Sequence, residues 1–167
     1  MPLVLRQSGS VQETMLQTLL ESQHIEPSAL LVMLVRGKEA ECIPALKTLI
    51  EMSRVYTSSI LQSAIRSIIE LTPLPILSMY LILKSLEEFP ELKDFLLTEA
   101  LPDLLGRKVW ENGRVWKGVI KFIKTTTPDS IVLLDRLPLE VRRELERMEE
   151  VKKGIVEYQL RQKKGIR

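Results

Sequence analysis

Cysteine and histidine are almost missing from this chain. One of each occurs in 167 residues, Cys42 and His24. No disulfide can close within the chain, and no Cys/His zinc set can be assembled from it. Histidine-based acid–base chemistry would have to run through His24 alone. Aromatics make up 5% of the residues and glycine occurs seven times. Those glycines never form GxxxxGKS/T or GxGxxG, so no phosphate-cradling loop is visible. Long apolar runs are missing too. The longest stretch without a charge, Leu71–Leu83, is thirteen residues, against about 20 needed to span a bilayer. Leu3-Val4-Leu5 is too short for the core of a secretory signal. The expectation is a soluble protein with no cofactor, no bound metal, no membrane contact and no small-molecule substrate.

What is present suits one compact domain. The chain is 45% hydrophobic and 28% charged, too apolar for disorder. At this length a fold buries roughly 70% of the unfolded surface and needs no covalent staple. The net charge of +2 conceals an asymmetry. Residues 1–105 carry 8 Lys/Arg against 13 Asp/Glu, a balance of −5. Residues 106–167 carry 16 against 9, a balance of +7. Such a split points to charged partners.

Hydrophobic spacing is helical nearly throughout. Val11, Met15, Leu16, Leu19 and Leu20 form one stripe, with Ser10 as N-cap. Pro27 suits the first turn of a helix over 28–35. That segment is apolar all round and could be a buried helix or strand; the lack of a strand partner favours helix. Pro44 is expected to open the next helix, with Ile43, Leu46, Leu49 and Ile50 on one face. Thr57 is the expected N-cap for 58–71. Pro73 and Pro75 precede a largely apolar helix over 76–89, and Pro90 starts another, which Pro102 should break or kink. Gly113 separates Val109-Trp110 from a helix over 114–124. Pro128 opens 129–136. Pro138 opens a charged helix over 139–152, with Gly154 a possible interruption. The expected fold is all-α, an irregular HEAT-like array of antiparallel helices without a sheet. The expected organisation is a flexible tail over 1–9, one helical domain over 10–158 and a basic tail over 159–167.

Catalytic constellations are poorly supported. The acid pairs Glu87/Glu88, Glu91/Asp94 and Glu149/Glu150 sit beside lysines or helix starts, as solvated or capping groups do. Cys42 is most simply a buried thiol, and His24 lies in an expected interhelical link. A hydrolase built on both would need them within hydrogen-bond reach.

The informative segment is 106–124. Arg114, Lys117, Lys121 and Lys124 share one helix face at offsets 0, 3, 7 and 10. Trp116, Val119, Ile120 and Ile123 are expected opposite. Arg107 and Lys108 add charge just upstream. Gly106–Lys124 alone contributes +5, from six Lys/Arg and one Glu. The stripe is either an ordinary solvated face or a surface for RNA phosphate or an acidic partner. Trp110 and Trp116 are candidate interface anchors, with core packing the competing role. In the last helix, Val141, Leu145 and Met148 leave a narrow apolar seam that requires a partner. Arg161-Gln162-Lys163-Lys164 has the make-up of a weak nuclear-import patch.

In order along the chain stand Leu74-Pro75, Leu86, Phe89-Pro90-Glu91-Leu92, Lys108-Val109-Trp110 and Val115-Trp116-Lys117-Gly118. Phe122-Ile123-Lys124, Pro128-Asp129-Ser130, Leu133-Leu134 and Leu137-Pro138 follow. Together they resemble the C-terminal domain of symplekin over residues 72–140. Residues 1–70 fit that family only as helices. The resemblance implies a non-enzymatic nuclear scaffold of the pre-mRNA 3′-end cleavage and polyadenylation machinery, which in animals also processes histone pre-mRNA. It further implies partners: the C-terminal regions of the cleavage endonuclease subunit and of its inactive metallo-β-lactamase paralogue, both in the cleavage and polyadenylation specificity factor. Lys108, Val109, Trp110, Val115, Trp116 and Gly118 are the family-pattern positions. The charged helix 139–152 and the basic tail have no counterpart in that pattern. Arg107, Lys108, Trp110, Arg114, Trp116, Lys117, Lys121 and Lys124 are therefore the candidate partner-binding residues. A helical RNA-binding domain using the same segment is the alternative.

Overall fold

The computed structural model describes residues 26–37, 39–51 and 56–165. The stripe from Val11 to Leu20, its Ser10 cap and His24 fall outside them. All elements among the described residues are helical, with no strand. The chain divides into two compact units, Met1–Asp94 and Phe95–Arg167, where the sequence suggested a single domain.

In the first unit, α1 (Pro27–Val35) begins at its proline and buries Leu30, Leu31, Leu34 and Val35. The missing proline N–H is harmless there, because first-turn donors have no intrahelical acceptor. Helix α2 (Glu39–Glu51) corrects an expectation: Pro44 lies inside it and does not open it. One backbone bond is forgone, and the helix is held regardless by burying Cys42, Ala45, Leu46, Leu49 and Ile50 completely. Helix α3 (Ser58–Ile69) is capped as expected, with Thr57 accepting from the Ile60 N–H. Helix α4 (Ser78–Glu88) follows the Pro73/Pro75 turn and is succeeded by a 3-10 turn at Pro90–Leu92. Helix α1 packs on α2 and α3, and α4 packs on α2 and α3.

Two polar links brace this core. The fully buried Tyr56 donates its hydroxyl to the Pro27 carbonyl at 3.0 Å, tying the start of α1 to the approach to α3. The Lys84 ammonium on α4 lies 3.5 Å from Glu51 of α2, 3.8 Å from Glu87 and 3.4 Å from Glu88. Burial alone would lower its pKa. The Glu88 hydrogen bond and the charges of Glu87 and Glu51 more than offset that and hold it above the ordinary lysine value.

In the second unit, Pro102 neither breaks nor ends its helix. The turn before it, Leu96–Ala100, widens to π geometry, with the Leu101 N–H reaching back to Leu96. Widening relieves the ring clash a proline makes with the carbonyl four residues back. Helix α5 (Leu101–Gly106) continues from it. A 3-10 turn (Val109–Glu111), α6 (Gly113–Thr126) and a 3-10 helix (Asp129–Arg136) follow. Last come α7 (Leu139–Glu146) and α8 (Glu149–Lys163). The break in this charged region falls at Arg147-Met148, not at Gly154, which lies inside α8 and is buried. Residues 159–163, expected in a tail, are helical.

The apolar seam finds its partner within this unit. Leu145 is buried, Val141 and Met148 are half-buried, and α7 packs on α8. Arg142 joins α7 to the preceding 3-10 helix, 2.8 Å from both Asp135 and Glu146. Helix α8 packs on α6 and on 129–136. Val151 is fully buried, and Arg161 pairs with Asp129 at 3.2 Å.

Candidate functional site

Helix α6 is set by its own sequence. Asn112 caps it, its side-chain oxygen accepting from the Val115 N–H at 3.4 Å. Val115, Val119, Phe122, Ile123 and Thr126 recur at helical spacing and are buried. The core side is therefore centred on Val115, Val119 and Phe122. Trp116 and Ile120, expected on that side, sit half-buried at its margin. At the far end, Ser130 donates to the Ile123 carbonyl at 2.8 Å and Thr126 to the Phe122 carbonyl at 2.7 Å. The Ile123 carbonyl is one of the four that a helix end leaves without an intrahelical partner. The serine of Pro128-Asp129-Ser130 is thus a helix-end group.

The opposite face is cationic. Arg114, Lys117 and Lys121 are exposed on one side of α6, with Arg107 and Lys108 exposed in the turn before it. Lys117 and Lys121 have no ion-pair partner among the described residues. Lys124 is drawn inward, half-buried and 3.9 Å from Glu150 of α8. The expected stripe is therefore narrower, with three of its four cations fully outward.

The turn at 107–108 has one further peculiarity. Lys108 adopts a left-handed backbone, φ 55° and ψ 46°. Such a conformation costs an L-residue roughly 1–2 kcal/mol and is usually given to glycine. It lets the chain reverse from α5 into the Val109–Glu111 turn, with Val109 in the core and Trp110 half-buried. Sequence reading missed this conformation, because Lys-Val-Trp carries no glycine or asparagine to signal it.

No catalytic grouping emerges around these residues. Cys42 is fully buried in the first unit. Glu87 and Glu88 both face Lys84, Glu149 faces Lys152 at 3.5 Å, and Glu150 faces Lys124. Among the described residues, no group of three or more His, Cys, Asp or Glu side chains is placed to hold a metal ion. No helix among them is long and apolar enough to cross a membrane.

Residues 1–148 match the family described as symplekin tight junction protein C terminal. The chain belongs to the symplekin C-terminal family. Membership supports a scaffold role in nuclear mRNA 3′-end processing, with protein partners in the processing complex. No solved structure matches the chain. The symplekin match takes in residues 1–70, where the sequence offers no sharp motif, and it stops where α8 begins. Within 106–124 the family pattern divides cleanly. Val109 and Val115 serve the core, while Lys108 and Lys117 face out and Trp110 and Trp116 lie between.

Proposed function

We propose that this chain is a non-catalytic nuclear scaffold domain that holds the C-terminal regions of the cleavage endonuclease subunit and of its inactive metallo-β-lactamase paralogue. One observation carries the reading. The segment richest in the symplekin pattern, 106–124, also holds the +5 charge and turns Arg114, Lys117 and Lys121 to solvent. A scaffold needs a rigid surface and complementary charge; it needs no reacting group. Trp110 and Trp116, half-buried, offer apolar area whose remaining exposure a partner could cover. Outward cations at the rim would speed encounter and select acidic segments more than they would deepen affinity.

Co-expression with the two C-terminal regions, read by the size and composition of the purified complex, tests this. A stoichiometric complex is expected. Lys117→Glu with Lys121→Glu should slow its association by about tenfold or more at low salt without changing thermal stability. A chain that purifies free of both regions sinks the reading.

Lys117 and Lys121, exposed and with no ion-pair partner among the described residues, favour a second reading, direct RNA binding. Three outward cations on α6 predict that affinity for single-stranded RNA falls with salt at a log–log slope of roughly −2. No aromatic stands on the cationic face itself to stack bases: Trp116 is half-buried beside it and Phe122 is in the core. Failure to bind RNA at low salt ends this second reading.

A further inference from the structure

Helix α8 lies beyond the matched residues 1–148 and turns an apolar strip to solvent. Its inner side is settled: Val151 and Gly154 are buried against the unit, and Ile155 and Tyr158 are half-buried. On the opposite side, one turn apart, Val156 is 56% exposed and Leu160 50%. They form an open, nearly flat apolar patch flanked by Lys152, Lys153 and Glu157. Lys163, three residues past Leu160, is exposed on the same side. The acid at this rim, Glu157, is held by Arg161 at 3.1 Å. Lys152 reaches Glu149 at 3.5 Å, whereas Lys153 and Lys163 have no ion-pair partner among the described residues.

We infer that this outer face of α8 is a second docking surface, separate from 106–124, for an acidic amphipathic helix of a partner protein. The apolar pair at i, i+4 matches the anchor spacing of a helix laid along a helix or groove. The lysine rim sets the sign of its neighbours. A second copy of the chain would bring Lys152, Lys153 and Lys163 against their own counterparts, and such like-charge contacts oppose self-association. RNA would use the lysines but leave Val156 and Leu160 without a role. An acidic amphipathic segment uses both. The inference stands apart from the reading of 106–124.

The test uses the full chain, ¹⁵N-labelled, titrated with synthetic amphipathic peptides of about 20 residues. One has a leucine stripe flanked by glutamates, a second the same stripe flanked by lysines, and a third is the scrambled glutamate peptide. The glutamate peptide should shift the amides of 152–164 and saturate. The lysine and scrambled peptides should bind at least about tenfold more weakly. Val156→Ser with Leu160→Ser, at exposed positions that spare the core, should also weaken the glutamate peptide about tenfold or more. Equal binding of the lysine peptide, shifts confined to other helices, or no effect of the serine pair would overturn the proposal. So would concentration-dependent broadening of the same amides without peptide, which would mean self-association. An RNA oligonucleotide that shifts this face while the glutamate peptide does not would overturn it as well. The endonuclease-region complex is probed with different substitutions, so either idea can fail alone.

Discussion

Gly154 offers the sharpest test of how the second unit is held together. Helix propensity favours alanine over glycine in a helix interior by about 1 kcal/mol. At residue 154 of α8, that expectation should reverse. A Cβ there would stand 2.8 Å from Thr127 Cβ, 3.0 Å from Thr127 Cγ2 and 3.2 Å from Ile131 Cδ1. Carbon atoms pack best at about 3.5–4.0 Å, so all three contacts are too short. Cγ2 and Cδ1 are side-chain ends and can turn away. Thr127 Cβ is one bond from the backbone and moves only if α8 or the 127–131 turn moves. Overpacking of this kind costs roughly 1–3 kcal/mol, which outweighs the propensity gain. Gly154→Ala should therefore lower stability by about 1–2 kcal/mol, or roughly 2–8 °C in melting temperature.

Two glycines serve as controls, because a Cβ at Gly106 or Gly113 meets nothing within 4 Å. Gly106→Ala and Gly113→Ala should be neutral or stabilising by a few tenths to about 1 kcal/mol. The assay is urea unfolding of all three variants, with hydrogen exchange along α8 to locate any loosening. Thr127→Gly combined with Gly154→Ala should recover about 1 kcal/mol or more relative to additivity, since it removes the two closest of the three offending atoms and leaves only the movable Ile131 Cδ1. If Gly154→Ala matches the controls, or the pair is additive, the close approach of α8 to 127–131 is refuted.

Other predictions concern single polar groups. Tyr56→Phe removes the bond to the Pro27 carbonyl and should cost about 1 kcal/mol at pH 7. Burial raises the Tyr56 pKa, so above pH ~10 the unfolded chain loses a proton that the folded chain keeps. Its contribution then weakens stability by about 1.4 kcal/mol per pH unit, and that component should vanish from the alkaline urea midpoints of Tyr56→Phe. Ser85 is fully buried and its hydroxyl has no hydrogen-bond partner among the described residues; Ser85→Ala should be neutral or stabilising by up to about 1 kcal/mol in urea, and a loss above that would reveal a partner for the hydroxyl. Lys108→Gly should relieve the left-handed backbone and raise stability by up to about 1 kcal/mol, yet weaken partner binding; a destabilised variant would mean the Lys108 side chain serves the fold.

Much of the helical plan was legible because its signals are local. Thr57 caps, Pro27 opens, and the apolar repeat of 58–69 sets its own inner face; each acts within one or two turns. The misreadings share a cause. Pro44 reads as a helix opener and Pro102 as a break or kink, because in isolation a proline forfeits a backbone bond and clashes with the preceding turn. In the structure α2 tolerates Pro44 while five side chains around it are fully buried, and a π turn makes room for Pro102. Gly154, by its low propensity a possible interruption of the helix, instead permits a close crossing. The core centre of α6 lies at Val115, Val119 and Phe122, rotated from the strip of Trp116, Val119, Ile120 and Ile123 that stands opposite the cations by spacing alone, because the packing of neighbouring elements sets the roll of the helix. The lysine stripe was legible from spacing alone. The capture of Lys124 by Glu150, 26 residues away, was not.

The same division explains why one motif can fix both a fold and a surface. In Lys108-Val109-Trp110 and Val115-Trp116-Lys117, each valine is buried, each tryptophan is half-buried and each lysine is exposed. The valines set which way the 3-10 turn and α6 roll against the core, and that roll aims the lysines outward. Replacing Val115 would thus shift the basic face as well as open a cavity. Replacing Lys117 would change charge alone. Valine-to-alanine changes here should lower stability by about 1–3 kcal/mol and binding together, whereas lysine-to-glutamate changes should separate the two. If Lys117→Glu and Val115→Ala both lower stability, this division is wrong, and the lysines belong to the fold.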